Sequence, residues 1–292
     1  TIFVSENGGG VTEIELSTNV AEHTETMSMN NGLTYTITLS GVDLAGNTGT
    51  TVLSGITYDI TDPKVDSITS TDVVNNGYTS HQVVELVFTL SEISQDFTSG
   101  NISTTNGDII SLTNSGLEYT VQFSSNTENT NIVSVNAVVF TDLAGNDNEA
   151  SDVFSWTWDN TAPIFTVIEP SSGDFINTTS LIYSVNEKLI DGGTIIVSEN
   201  GGDVQPFVLS TNVAEHTETM SMNDGSTYTI TLSGVDLAGN TGTTIVSGVT
   251  YDTTPPELTV IEPSSGDFIN TTSLVYSVNE ILSGGTIFVS EN

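Results

Sequence analysis

Apolar and polar residues alternate along this chain in short runs. "YTITLSG" at Tyr228–Gly234 sets Tyr, Ile and Leu against Thr, Thr and Ser, the period-two pattern of a strand buried on one face. Similar runs stand at Phe165–Ile168, Leu181–Val185, Thr194–Ser198, Phe207–Leu209, Glu218–Met222, Thr227–Leu232 and Thr244–Tyr251. Turn-forming clusters separate them: "SSGD", "DGG", "NGGD", "NDG" and "LAGN". No stretch keeps a 3.6-residue period with capping signals over ten residues. About seven strands within residues 162–254 predict an antiparallel β-sandwich of immunoglobulin-like (Ig-like) type. The chain has no cysteine, so such a core must hold by apolar packing alone.

Repetition sets the organisation. "DLAGN" recurs at Asp43–Asn47, Asp142–Asn146 and Asp236–Asn240, spaced 99 and 94 residues apart. A second marker follows each copy: "DITDP" at Asp59–Pro63, "DNTAP" at Asp159–Pro163 and "DTTPP" at Asp252–Pro256, spaced 100 and 93 apart. Residues 1–61 match 194–254 at all but 12 of 61 positions, and Leu16–Asn30 is identical to Leu209–Asn223. Residues 257–292 repeat 164–199 nearly as closely, whereas the copy at 63–162 diverges. Proline just outside a strand punctuates a linker. The predicted boundaries are therefore a partial domain at 1–61, whole domains at 62–161 and 162–254, and a partial domain at 255–292, in an end-to-end array. "TIFVSEN" opens the chain at Thr1–Asn7 and closes it at Thr286–Asn292, with "TIIVSEN" at Thr194–Asn200. It reads as the third strand of a sandwich flanked by glycine-rich turns, as if the chain were cut mid-domain from a longer array.

Composition narrows the function. There are 37 Asp plus Glu against two lysines, Lys64 and Lys188, and no arginine, a formal charge of −35. A chain with this balance repels polyphosphates and lacks the basic stripe that nucleic-acid binding needs. Anionic membrane surfaces are disfavoured on the same ground, and no apolar run approaches a membrane span. Self-repulsion of this size requires screening by solution cations or divalent ions held among the carboxylates.

Three stretches resemble bacterial Ig-like repeat domains: "FTSGNISTTNGDI" at Phe97–Ile109, "VVFTDLAGN" at Val138–Asn146 and "FSWTWDNTAP" at Phe154–Pro163. "SLIYSVNEKLIDGGTIIVSENGG" at Ser180–Gly202 is similar to a sister variety. The resemblance covers essentially the whole chain. It implies an extracellular spacer in a giant surface protein or adhesin, often with Ca²⁺ at domain junctions.

Sandwich geometry leads to the same place. The linker Asp leaving one domain should meet two loops of the next, the one after its second strand, which carries a Glu, and the one between its last two strands, which carries DLAGN. The first junction then gathers Asp59, Asp62, Glu92, Asp142 and Asn146; the second gathers Asp159, Glu187, Asp236 and Asn240; a third would use Asp252 and Glu280. Carboxylates, a side-chain amide and turn carbonyls are the hard oxygen donors that Ca²⁺ takes. Asp and Asn also make good turns without any ion, so DLAGN has a purely structural reading beside the ligand one.

Other chemistry lacks parts. His23 and His216 are equivalent in "AEHTETM" and His81 has no counterpart, so no zinc pair or nucleophilic triad is spelled out. Paired carboxylates abound by number alone, and no enzymatic activity is expected. Trp156 and Trp158 alternate with Phe154 and read as core rather than a sugar platform. A lysine crosslink serving every repeat is impossible, because Lys64 and Lys188 have no counterparts in the sister copies. The expectation is a structural segment of an extracellular fibre or adhesin stalk, its partners neighbouring copies of the same repeat. Two alternatives stand beside it: a filament subunit polymerising through complementary partial domains, and a module binding cell-surface or matrix glycans.

Overall fold

The computed structural model describes residues 1–6, 11–18, 22–203, 206–210 and 213–291 of the 292. The glycines expected to turn the chain at Gly8–Gly10, and Asn7 and Asn292 of the terminal heptapeptides, lie outside the described residues. The chain divides into two compact units, Thr1–Thr161 and Ala162–Asn292. Both are built from strands. A single 3₁₀ turn at Ser99–Asn101 is the one helical element among the described residues, and no helix is long and apolar enough to cross a membrane.

The first unit opens with one antiparallel sheet in the order Val11–Ile14, Ile2–Glu6, Leu33–Val42, Thr48–Tyr58. A four-on-four sandwich follows. One sheet runs Val65–Thr69, Val83–Leu90, Glu118–Ser125, Gly107–Ser115. The other runs Gly77–Thr79, Phe154–Trp158, Thr130–Val135, Ile102–Thr105. Alternation places the core: Val84, Leu86, Phe88 and Leu90 point inward from one strand, Tyr119, Val121 and Phe123 from its neighbour. Trp156 stands edge-on to Phe123 with ring centroids 4.9 Å apart, and the Phe97 ring does the same to Tyr119 and Phe140. Gly77–Thr79 pairs parallel to Phe154–Trp158, which closes the sandwich edge beside its last strand.

In the second unit, a sheet of Phe165–Glu169, Ser180–Val185 and Glu215–Thr219 faces a larger one. The larger sheet runs Phe175–Ile176, Thr241–Tyr251, Ser226–Val235, Thr194–Glu199, Gly202–Asp203, with Phe207–Val208 also paired to Thr194–Glu199. Leu181 and Tyr183 from the first sheet meet Ile195, Val197, Tyr228, Ile230 and Leu232 from the second in one buried cluster. A two-stranded ribbon, Leu258–Glu262 with Val275–Val278, follows.

The architecture is the all-β, Ig-like sandwich expected from the alternation. The fifth strand sits at Glu215–Thr219 instead of Glu218–Met222. Pairing with Ser180–Val185 sets its register, and Met220 is buried just past its end, its N–H donating to the Thr179 carbonyl at 2.7 Å. Phe175–Ile176 and Gly202–Asp203 are too short to show periodicity. Of the heptapeptide copies, Ile2–Glu6 and Thr194–Glu199 are strands, each paired with the "TYTITLSG" strand that follows it. Residues 286–291 form no strand, because no such partner follows them.

Candidate metal centre

The linker after Tyr58 is shaped by its own aspartate. Asp59 Oδ1 accepts the Thr61 N–H at 3.0 Å, a short Asx turn. The same bond recurs from Thr161 to Asp159 and from Thr254 to Asp252, each at 3.0 Å. A staple then ties the linker to the next domain. Lys64 N–H donates to Ser91 Oγ at 3.0 Å, and Ser91 N–H donates to the Lys64 carbonyl at 2.9 Å. Ser91 follows the strand Val83–Leu90, so the staple sets Glu92 beside the linker. Asn186 makes the equivalent pair of bonds with Ile164, at 2.7 and 3.3 Å, and Asn279 with Glu257, at 2.7 and 3.2 Å. These three positioning residues escaped the sequence reading. Their signal is a polar residue directly before each Glu, in "LSE", "VNE" and "VNE".

Asp142 organises the loop opposite. Its Oδ1 accepts the N–H groups of Ala144, Gly145 and Asn146 at 2.7, 2.7 and 2.9 Å. Its Oδ2 accepts the Asn146 amide at 2.7 Å. Gly145 takes φ +92°, a left-handed conformation that favours glycine there. Asp236 repeats the arrangement, with Ala238 N–H, Asn240 N–H and the Asn240 amide each at 2.8 Å. The exposed Asp43 does so too, at 2.8, 2.8 and 2.9 Å. The turn is therefore complete in itself and needs no ion.

Asp59, Glu92 and Asp142 converge. One carboxylate oxygen from each lies within 4.8 Å of the other two, with Asp142 buried and its partners half-buried. The Asn146 amide also donates to the Asp59 carbonyl at 3.2 Å, lashing loop to linker. Asp62 is exposed and outside this group, although its charge bears on Glu92. Thr57, Ile93, Leu117, Leu143 and Ala144 line the adjoining cleft of ≈ 530 Å³. No cation of the protein serves the cluster: the Lys64 ammonium lies 3.4 Å from Asp66 instead.

The electrostatics divide the acids. Burial pushes the Glu92 carboxyl above its ordinary value, and the charges of Asp59 and Asp142 push it further. Burial also acts to raise Asp142, but the Asn146 amide and the N–H groups of Asn146, Gly145 and Ala144 outweigh it and hold Asp142 low. Two oxygens bound to one Ca²⁺ at 2.3–2.6 Å stand at most about 5 Å apart. The three acids meet that condition, and an all-oxygen donor set suits Ca²⁺ rather than zinc.

In the second unit, Glu187 and Asp236 bring carboxylate oxygens within 4.8 Å of each other, with Asp236 buried. Asp159 belongs to the end of the first unit, where its N–H donates to the Thr79 carbonyl at 3.0 Å. Asp252 and Glu280 are half-buried, and no third acid joins them among the described residues. Phe154 and Trp156 are core, and Trp158 is half-buried with its indole N–H on the Ser80 carbonyl at 3.3 Å. His216 packs its ring 5.4 Å from that of Tyr183, while His23 is exposed.

Residues 59–157 match the model of the bacterial Ig-like domain family. No curated protein sequence matches the chain. Among solved structures, it is similar to a Ca²⁺-stabilized adhesin that helps an Antarctic bacterium reach out and bind ice, at 18% identity and a TM-score of 0.33. That match covers 74% of this chain and 56% of the other, so the chain spans little more than half of that structure's length. A 1.5-MDa bacterial ice-binding adhesin, described for its host cell surface retention, matches at 21% identity and TM-score 0.30, covering 75% of this chain and 74% of that one. A Bacteroides ovatus protein of a mixed-linkage glucan utilization locus, solved with a mixed-linkage heptasaccharide, matches at 16% and 0.20, covering 89% and 61%.

Proposed function

We propose that this chain, in which residues 59–157 are a bacterial Ig-like domain, is a non-enzymatic, load-bearing segment of an extracellular surface fibre or adhesin stalk whose domain junctions are stiffened by Ca²⁺. The observation that carries the reading is the convergence of Asp59, Glu92 and Asp142 on one point, from the linker and the two loops that face it. Three acids held together at formal charge −3 oppose the folded junction. A divalent ion turns that repulsion into a cross-link between linker and domain. Backbone carbonyls and water would complete the six to eight ligands that Ca²⁺ takes. By repeat equivalence, Asp159, Glu187 and Asp236 form the second set, and Asp252 and Glu280 contribute to a third. Asp62 adds attraction for the cation. Asn146 and Asn240 hold their loops in the shape that presents the Asp.

Segments of this kind span distance, which suits near-identical repeats better than it suits a unique recognition surface. Extracellular modules tolerate weak sites, with Kd on the order of 10⁻⁴ to 10⁻³ M, because the ion is plentiful there. Calorimetry and small-angle scattering in millimolar Ca²⁺ and in chelator test the reading. A chelator-sensitive melting step and a longer, stiffer particle with Ca²⁺ are expected; equal melting temperature and equal length in both conditions would refute it.

A further inference from the structure

The chain carries two half-sandwiches whose complete counterpart it also contains. In the domain at 162–254, the sheet of Phe165–Glu169, Ser180–Val185 and Glu215–Thr219 covers the inner face of the sheet built on Thr194–Glu199, Ser226–Val235 and Thr241–Tyr251. Residues 1–61 repeat the second of these sheets, and residues 257–282 repeat the first two strands of the covering one. Each half shows at the surface what its counterpart buries. Tyr276 is 51% exposed where Tyr183 is fully buried, and Leu274 is 39% exposed where Leu181 is fully buried. On the other half, Leu53 is 50% exposed against 6% for Val246, and Ile56 39% against 0% for Val249.

The sheet at residues 1–58 is only partly self-covered. Leu16, Met27 and Met29 fold onto Ile2, Val4, Tyr35 and Ile37, and the Asn30 N–H donates to Tyr35 Oη at 2.7 Å. A groove of ≈ 400 Å³ remains between Ile2, Ile37, Leu39 and Leu53 and the Leu16 and Met27 side chains. At the other end, Leu258, Val260, Leu274, Tyr276 and Leu282 line an apolar cleft of ≈ 630 Å³.

We infer that the apolar face of the sheet at residues 1–58 binds the Leu258–Glu262/Val275–Val278 ribbon of a second copy of this chain, completing between two molecules the sandwich that residues 162–254 complete within one. The interface is already drawn at 162–254. Tyr276 of the incoming ribbon takes the place of Tyr183, Leu274 that of Leu181, and Leu258 that of Phe165, against Val4, Ile37 and Leu53 in the places of Val197, Ile230 and Val246. Ribbon and face sit at opposite ends of the sequence, so each molecule offers one of each, and association proceeds head to tail. The contact is apolar and stands whether or not any junction holds a metal.

Sedimentation velocity of the 292-residue chain over a wide concentration range tests this. Species in steps of 30.8 kDa that grow with concentration are expected; a single 30.8 kDa species throughout would overturn it. Leu53→Asp and Tyr276→Asp alter exposed side chains, one on each half. Each variant alone is expected to stay monomeric, with the fluorescence of the buried Trp156 unchanged. Mixed together, they should form a one-to-one dimer and nothing larger, because one sound face and one sound ribbon remain. Growth of either variant alone, or failure of the mixture to pair, would refute the docking.

Discussion

Glu92 is held in its protonated form by burial and by the charges of Asp59 and Asp142. An acid whose pKa is raised on folding keeps its proton over a window in which the unfolded chain has released it. Without divalent ions, stability therefore falls as pH rises from the ordinary glutamate value through the raised one. Ca²⁺ and that proton compete, so binding should weaken as pH falls through this window and should release protons, read by titration calorimetry in buffers of different ionisation enthalpy. Glu92→Gln removes the like charge: the variant should melt at or above the parent temperature in chelator and lose the Ca²⁺-induced rise. Asp142 has the opposite sign. Its lowered pKa contributes stability above the ordinary aspartate value, lost as pH falls through the folded one. Asp142→Ala strips a buried acceptor from three N–H groups and should cost about 2–4 kcal/mol in chelator, measured by urea unfolding on the Trp156 signal. The same change at the exposed Asp43 should cost far less, because water takes over its donors. The identity and spacing of these acids stand in the sequence. The staple through Ser91, Asn186 and Asn279 does not, because a lone Ser or Asn before a Glu carries no periodic or compositional signal.

Single strands show what neighbours add to local preference. "EHTET" is a strand at Glu215–Thr219 and has no strand assignment at Glu22–Thr26, although the flanking residues are identical. The difference is Ser180–Val185, whose edge supplies the backbone partners in one place and has no counterpart before residue 22. Alternation thus predicted the long central strands of each sheet, which pair with their own hairpin neighbours. Strands that depend on distant partners, such as Phe175–Ile176 and Glu215–Thr219, were misjudged or missed. Glycines repeat the lesson. A Cβ on Gly242 would stand 1.9 Å from the Pro163 carbonyl oxygen, whereas one on the equivalent Gly49 meets nothing within 4 Å. Gly242→Ala should force the linker off the last hairpin and cost at least ~2 kcal/mol. Gly49→Ala should leave stability within about 0.5 kcal/mol. Parallel thermal melts of the two variants separate these outcomes.

At the scale of the chain, 37 acids against two lysines make cations part of the structural environment. Monovalent salt screens charges beyond about 10 Å at 0.1 M and should raise all melting steps modestly. Ca²⁺ should act beyond this. At 10 mM and a Kd near ~1 mM it adds about 1.4 kcal/mol to a domain that binds it, roughly 6–11 °C for one of about 100 residues. Calorimetry at matched ionic strength distinguishes the two effects; a rise that NaCl reproduces would dispose of specific binding. Trypsin offers a further check, since both lysines lie on the surface and at most three fragments can arise. The order of the repeats has a kinetic consequence as well. The two nearly identical copies, 1–61 and 194–254, are kept apart in sequence by the divergent residues 62–161. Exchange of strands between adjacent look-alikes is the characteristic way in which repeat proteins misfold. As this chain leaves the ribosome, each emerging segment finds beside it a neighbour whose strands do not fit its own sheet, so the divergence of the middle copy acts as a proofreading device for folding.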